Sequence, residues 1–158
     1  MHALCLQQLS PYLSYCFFRL GHVDQSSGAL LVQFAGQYRY GGAGNRDADF
    51  MAGAILQGCA CWHPWNVVVD LSRVWYQWGD QIADALSMRY ETESMAVVIG
   101  PDCAAALATL WFGKTTHRPA TDREGVFASI KDARRYLCQE PWEARPFEAP
   151  PYFLRPCA

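Results

Sequence analysis

Apolar positions along the chain change period several times, and each change marks an element. Tyr12 to Leu20 and Ala29 to Ala35 are nearly continuous aromatic and aliphatic runs. The polar stretch His22-Val23-Asp24-Gln25-Ser26-Ser27-Gly28 between them carries turn chemistry, so the two runs predict an antiparallel hairpin with a long loop. Gly41, Gly42 and Gly44 then allow a bend. Asn45 is placed to N-cap a helix whose face is Ala48, Ala52, Ile55, Leu56 and Cys59, with Asp47 and Asp49 near its positive end. Pro64 closes that region.

Val67, Val68 and Val69 form an unbroken β-branched run, the pattern of a strand buried on both faces. Asp70 and Ser72 are read as its end. After an aromatic turn, Ile82, Ala83 and Leu86 form one helical stripe, so Asn66 to Met88 reads as strand, aromatic loop, helix. Met95 to Ile99 is a second buried-type strand. Gly100-Pro101-Asp102 stops it and opens a helix with face Cys103, Leu107, Leu110 and Trp111, proline costing little at a first helical position. Val126-Phe127-Ala128 is a short last strand. Ser129 and Asp132 then stand at capping-box spacing before a helix with face Ile130, Ala133 and Leu137.

The resulting order is β-β-α-β-α-β-α-β-α. It predicts an α/β fold: a mixed central sheet with parallel inner strands and an N-terminal antiparallel hairpin, helices packed on it. Residues 1–139 form one domain in this reading, of a size that buries a substantial core without staples. Residues 140–158 hold five prolines together with Trp142, Phe147, Tyr152, Phe153 and Leu154. That composition predicts an extended tail that docks on something.

Composition narrows the function. Charged residues are 18% of the chain, and 6 Trp, 8 Tyr and 8 Phe supply more aromatic area than a small core normally uses. Aromatic-rich, charge-poor surface is what the centre of a protein interface looks like. A net charge of -2 without a Lys/Arg run argues against a nucleic-acid footprint. No stretch reaches the ~18 apolar residues of a membrane span, and the first residues lack a secretory pattern. Seven scattered cysteines read as reduced core residues, so the expectation is a cytoplasmic protein.

Catalytic, metal and cofactor readings find little. Three glycines in four residues lack the Lys-Ser/Thr of a phosphate loop. Cys59, Cys61 and His63 invite a metal, yet helical positions two apart point about 200° from each other, and no second ligand pair follows. None of His2, His22, His63 and His117 stands in a nucleophile-activating context. Asp70 falls where α/β folds place ligands, although it also ends a strand. Asp80 and Asp84 share a helical face, which is an acid/base pair or, more commonly, a solvated acidic face.

Val-Val-Asp-Leu-Ser-Arg-Val-Trp-Tyr, residues 68–76, resembles the Val-Asp-Leu-Ser-x-Val-x-Phe/Tyr segment of the STAS domain, the module of sulphate transporters and anti-sigma factor antagonists. Val97-Val98-Ile99-Gly100, and Val126-Phe127 followed by Ile130-Lys131-Asp132-Ala133, resemble its later elements. The resemblance spans about Leu13 to Leu137 and implies the same fold. It also implies a protein partner at the loop after the central strand, where antagonists carry a phosphorylatable serine. Here that loop reads Gln77-Trp78-Gly79-Asp80-Gln81-Ile82, and Gly79 fills the serine's slot. Asp80 is a fixed charge one place later or, more simply, an N-cap.

Trp75, Tyr76, Gln77, Trp78, Asp80 and Asp84 are thus the expected partner-binding residues. Strand alternation puts Trp75 and Tyr76 on opposite faces, so one of them packs inside. Trp62 and Trp65 read as packing residues. The expected function is a non-enzymatic module that binds and neutralises or regulates another protein, as an immunity protein or antagonist does. A small-molecule or lipid binder of the same fold and a sigma-regulatory antagonist are the alternatives, and a homodimer is compatible with each.

Overall fold

The computed structural model describes residues 5–20, 29–87 and 94–139, with side chains to Leu137. The polar loop expected over 21–28, the helix end at Met88 and the docking tail from 140 lie outside the described residues. The sheet comprises β1 (Leu13–Leu20), β2 (Ala29–Gln37), β3 (Asn66–Trp75), β4 (Ser94–Ile99) and β5 (Val126–Phe127), in spatial order β1-β2-β3-β4-β5. β1 and β2 pair antiparallel and the remaining pairs are parallel. The helices are α1 (Asn45–Trp62), α2 (Gln81–Ser87), α3 (Pro101–Phe112) and α4 (Ile130–Gln139). This is the mixed α/β architecture that the apolar pattern predicts.

The two sheet faces are unequal. Leu30, Val32, Phe34, Val67, Val69, Leu71, Val97 and Ile99 point to the side where α1, α2 and α3 pack, and with them form the main core. On the other side Leu31, Val68, Ala96 and Val98 meet Ala133 and Leu137 of α4 in a smaller cluster. The valine run is buried on both faces because α1 to α3 cover one face of that part of β3 and α4 the other. Burying such a side chain contributes about 1.5–3 kcal/mol.

Several expectations need correction. Asp70 and Ser72 do not end the central strand, which continues to Trp75. Gln33 pairs with Asp70 but Ala35 pairs with Arg73, so β3 holds one extra residue there, a bulge. Asp70 is fully buried and holds the bulge: one carboxylate oxygen accepts from Gln33 Nε2 at 2.7 Å, the other from the Ser72 N–H at 2.9 Å. The bulge shifts the inward phase from Val67, Val69 and Leu71 to Val74 and Tyr76. It therefore decides that Tyr76 turns inward and Trp75 outward.

Asn45 is the first residue of α1 rather than its cap. The chain enters through a 3-10 turn, Gly41–Gly44, and Gly44 precedes the helix in helical geometry. Leu56 is 49% exposed, whereas Phe50, Met51 and Ala54 supply the buried face beside Ala48, Ala52, Ile55 and Cys59. Trp62 is also exposed, with its ring edge on Phe17 at 4.8 Å. Cys5, Cys16 and Cys61 lie on the surface, so only Cys59 and Cys103 of the described cysteines are core residues. Other calls hold. Gly100 precedes α3 in extended geometry with Pro101 at its start, and Ser129 Oγ accepts from the Asp132 N–H at 3.2 Å. Its hydroxyl donates to the Asp132 carboxylate, where a capping box would return to the backbone.

Candidate functional site: an aromatic lip at the strand ends

Parallel strands put the ends of β2, β3 and β4 at one edge of the sheet, where the connections to α1, α2 and α3 run side by side. Two of them are tied together. The Tyr38 N–H donates to the Trp75 carbonyl at 3.0 Å, and the Gly41 N–H donates to the Trp78 carbonyl at 3.2 Å. The third is joined by the Tyr76 N–H, which donates to the Asp102 carbonyl at 3.2 Å.

Beneath these ties sits a pair of buried tyrosines. Tyr38 and Tyr76, each 2% exposed, meet edge to face with centroids 5.3 Å apart. The Tyr76 hydroxyl donates to the Gly79 carbonyl at 2.9 Å. Burial, with the nearby Asp80 charge, pushes the Tyr76 phenol up to about 12. Burial also raises the Tyr38 phenol, whose hydroxyl has no hydrogen-bond partner among the described residues. Glycine is required on both sides of Tyr38. A Cβ at Gly44 would stand 2.3 Å from its ring, and one at Gly79, where φ is +151°, would stand 3.1 Å away.

An ion pair anchors the β2–α1 connection from behind. Asp47, fully buried in the first turn of α1, accepts from the Arg39 N–H at 2.7 Å and from the Arg39 guanidinium at 2.7 to 3.1 Å. The same guanidinium donates to the Leu9 carbonyl at 2.8 Å. Hydrogen bonding to Asp47 holds the Arg39 pKa above its ordinary value.

On this base stand the exposed rings. Tyr40 is 68% exposed and Trp78 47%, with centroids 5.3 Å apart. Gln77, Asp80 and Asp84 also face solvent. Of the expected partner-binding residues the structure therefore groups Gln77, Trp78, Asp80 and Asp84 at this edge. Trp75, 41% exposed, points to the α4 side of the sheet. Tyr76 is in the core and supports the loop from below. Tyr40 was not among the expected residues: it follows β2, and only the pairing of β2 with β3 brings it to Trp78. Its signal was an aromatic residue next to a glycine-rich bend.

Cys59 is buried in α1 and Cys61 exposed, so their thiols diverge, and no cluster of three metal-ligating side chains occurs among the described residues. Burial pushes the Cys103 thiol up, and it donates to the Gly100 carbonyl at 3.4 Å, a setting for a protonated thiol rather than a thiolate nucleophile. No described helix is long and apolar enough to cross a membrane.

No family model, curated protein or solved structure matches the chain.

Proposed function

We propose that the protein is a non-enzymatic, cytoplasmic module that binds another protein through the lip formed by Tyr40 and Trp78, in the manner of an immunity protein or antagonist. The observation that carries this reading is the pinning of two exposed rings. Interface anchors are enriched in Trp and Tyr, and rings held in place before binding lose little entropy when a partner arrives. Asp80 and Asp84 supply an acidic rim, which favours a partner presenting an apolar patch edged by Lys or Arg. Gly79 stands in the position that the STAS resemblance gives to the switch serine and has no hydroxyl to phosphorylate, so binding is constitutive.

Co-purification from the native cell tests the reading. The wild-type chain recovers a stoichiometric partner, while Trp78→Ala and Tyr40→Ala lower its recovery at least tenfold without loss of fold. Equal recovery by all three proteins removes the lip from the interface.

A small-molecule ligand is the second reading, supported by an open cleft of about 540 Å³ beside the start of α3. Gly100, Pro101, Ala104, Ala108, His117 and Arg118 contribute to its walls. Native mass spectrometry separates the readings, since a retained small mass favours the cleft.

A further inference from the structure

The two edges of the sheet differ. β5 forms one of them with only two residues, Val126 and Phe127. β1 forms the other over eight residues, and no strand lies on its outer side among the described residues. Natural edge strands are blunted by proline, lysine, a bulge or shortness, because an open row of main-chain groups invites a further strand. β1 contains neither proline nor lysine, and Arg19 is its only charged residue. Its register with β2 runs unbroken from Leu13 to Leu20.

Alternation of the ladder decides which groups are open. The Gln37 N–H donates to the Tyr12 carbonyl at 3.1 Å, so the main chain of Tyr12, and then of Ser14, Cys16, Phe18 and Leu20, faces β2. That of Leu13, Tyr15, Phe17 and Arg19 turns outward. At Leu13 the chain satisfies these groups itself: the N–H donates to Ser10 Oγ at 3.2 Å, and Gln7 Nε2 donates to the carbonyl at 3.3 Å. No described residue does so at Tyr15 or Phe17. The stretch available to a further strand therefore runs from Ser14 to Leu20, with Phe17 at its centre.

We infer that a second copy of this chain docks on this edge, β1 antiparallel to β1 about a two-fold axis through Phe17, so that one sheet runs across both copies. Self-complementarity carries the choice of occupant. An axis at Phe17 sets Ser14 opposite Leu20 of the second copy, so each strand ends where Ser10 and Gln7 of the other close the edge. Phe17 meets its own copy as a hydrogen-bonded pair, and its ring is already backed at 4.8 Å by that of Trp62, a residue 56% exposed. Arg19 falls opposite Tyr15, so no like charges face each other across the edge. On the other sheet face the exposed Cys16 falls opposite Phe18, which is 48% exposed. The inference is independent of the partner reading, since Tyr40 and Trp78 stand beyond the ends of β2 and β3.

Cys16 and Phe18 make the pairing testable. Opposite residues at a non-hydrogen-bonded site stand about 4.5 Å apart at Cα, within disulfide range. Diagonal neighbours stand about 7–8 Å apart, beyond it. The full-length Phe18→Cys protein, oxidised with diamide, is expected to run as a covalent dimer on a non-reducing gel. The wild type, and Phe18→Cys combined with Cys16→Ser, are expected to cross-link at least tenfold less. In sedimentation velocity the wild type is a dimer. Cys16→Lys combined with Phe18→Lys sets lysine against lysine on the exposed face and raises the dimer dissociation constant at least tenfold. A wild type that is monomeric at every concentration overturns the inference. A dimer unaffected by the lysine pair also overturns it, as does a Phe18→Cys protein that cross-links no more than either control.

Discussion

The Tyr76 hydroxyl donates to the Gly79 carbonyl 2.9 Å away, joining the last buried residue of the β3 edge to the residue that turns the chain into α2. The bond is buried and closes the loop that carries Trp78, so it bears on both stability and the posture of the lip. Tyr76→Phe keeps the ring against Tyr38 and removes only this bond. A loss of about 1 kcal/mol is expected, with faster amide exchange around Gly79 to Gln81. Urea denaturation and hydrogen exchange check the two together, and unchanged exchange contradicts the bond's role as a clasp.

Tyr38 predicts the opposite sign. Its ring fills the space between Gly44 and Gly79, but its hydroxyl is buried with no partner among the described residues. A buried, unsatisfied hydroxyl costs roughly 1–3 kcal/mol. Tyr38→Phe is therefore expected to stabilise the protein by about 1 kcal/mol, whereas Tyr38→Ala empties the same space and costs about 3 kcal/mol. Thermal melts of the pair decide it; a destabilised Tyr38→Phe protein contradicts the orphan hydroxyl.

The two phenols also set an alkaline limit. Both have folded-state pKa values above the ordinary 10, and Tyr76 reaches about 12. Between those values the unfolded chain has released protons that the folded chain retains, so stability falls as pH rises. The contribution is complete below pH 10 and is lost progressively toward pH 12, on the order of 2–3 kcal/mol for Tyr76. Denaturation midpoints measured from pH 9 to 11.5 should fall, and less steeply in Tyr76→Phe. A midpoint flat across that range, or an equal slope in the variant, counts against the assignment.

Most of the fold was legible because period and punctuation agreed. The valine run, Gly100-Pro101 and the Ser129 cap each mark a local event that the structure keeps. Asp70 was misread because a carboxylate after a β-branched run ordinarily ends a strand. Its partner Gln33 lies 37 positions away, and no local pattern announces a bulge. Leu56 falls on the helical stripe with Ile55 and Cys59 and Trp62 reads as a packing residue, but neither spacing nor apolar character shows which end and edge of α1 the sheet leaves uncovered. At the site, Trp78 was legible as an aromatic residue in a loop. Tyr40 was not, because its neighbourhood to Trp78 comes from parallel pairing of β2 and β3 rather than from spacing. The same holds for Arg39 and Asp47: the acidic first turn is visible in the sequence, but its burial against the Arg39 guanidinium is not.

Gly79 offers a direct test of how far the STAS resemblance carries. Its φ of +151° is strained for any side chain, and a Cβ there meets the Tyr38 ring at 3.1 Å. Gly79→Ser places a hydroxyl at the slot where the resemblance implies a switch serine, at the cost of that strain, about 1–3 kcal/mol. The variant is expected to melt lower and to bind the co-purified partner more weakly even when unphosphorylated. Wild-type stability in Gly79→Ser would mean that the loop accepts a serine and that the backbone at Gly79 does not require glycine.

Asp47 carries a buried charge whose partner is Arg39. It is fully buried, and its carboxylate satisfies both the Arg39 main chain and the guanidinium. Asp47→Ala leaves Arg39 with its charge uncompensated beneath the β2–α1 connection, and removing one member of such a pair costs about 3–5 kcal/mol. Arg39 is partly open to solvent, with 24% of its side chain exposed, so the lower end of that range is expected. Asp47→Asn keeps the shape and one acceptor and should lose less. Because Tyr40 follows Arg39 directly, both variants should also weaken partner recovery, Asp47→Ala more than Asp47→Asn. Equal stability of Asp47→Ala and wild type in urea denaturation would show that the pair does not anchor the connection, and the rigidity assigned to the lip would fall with it.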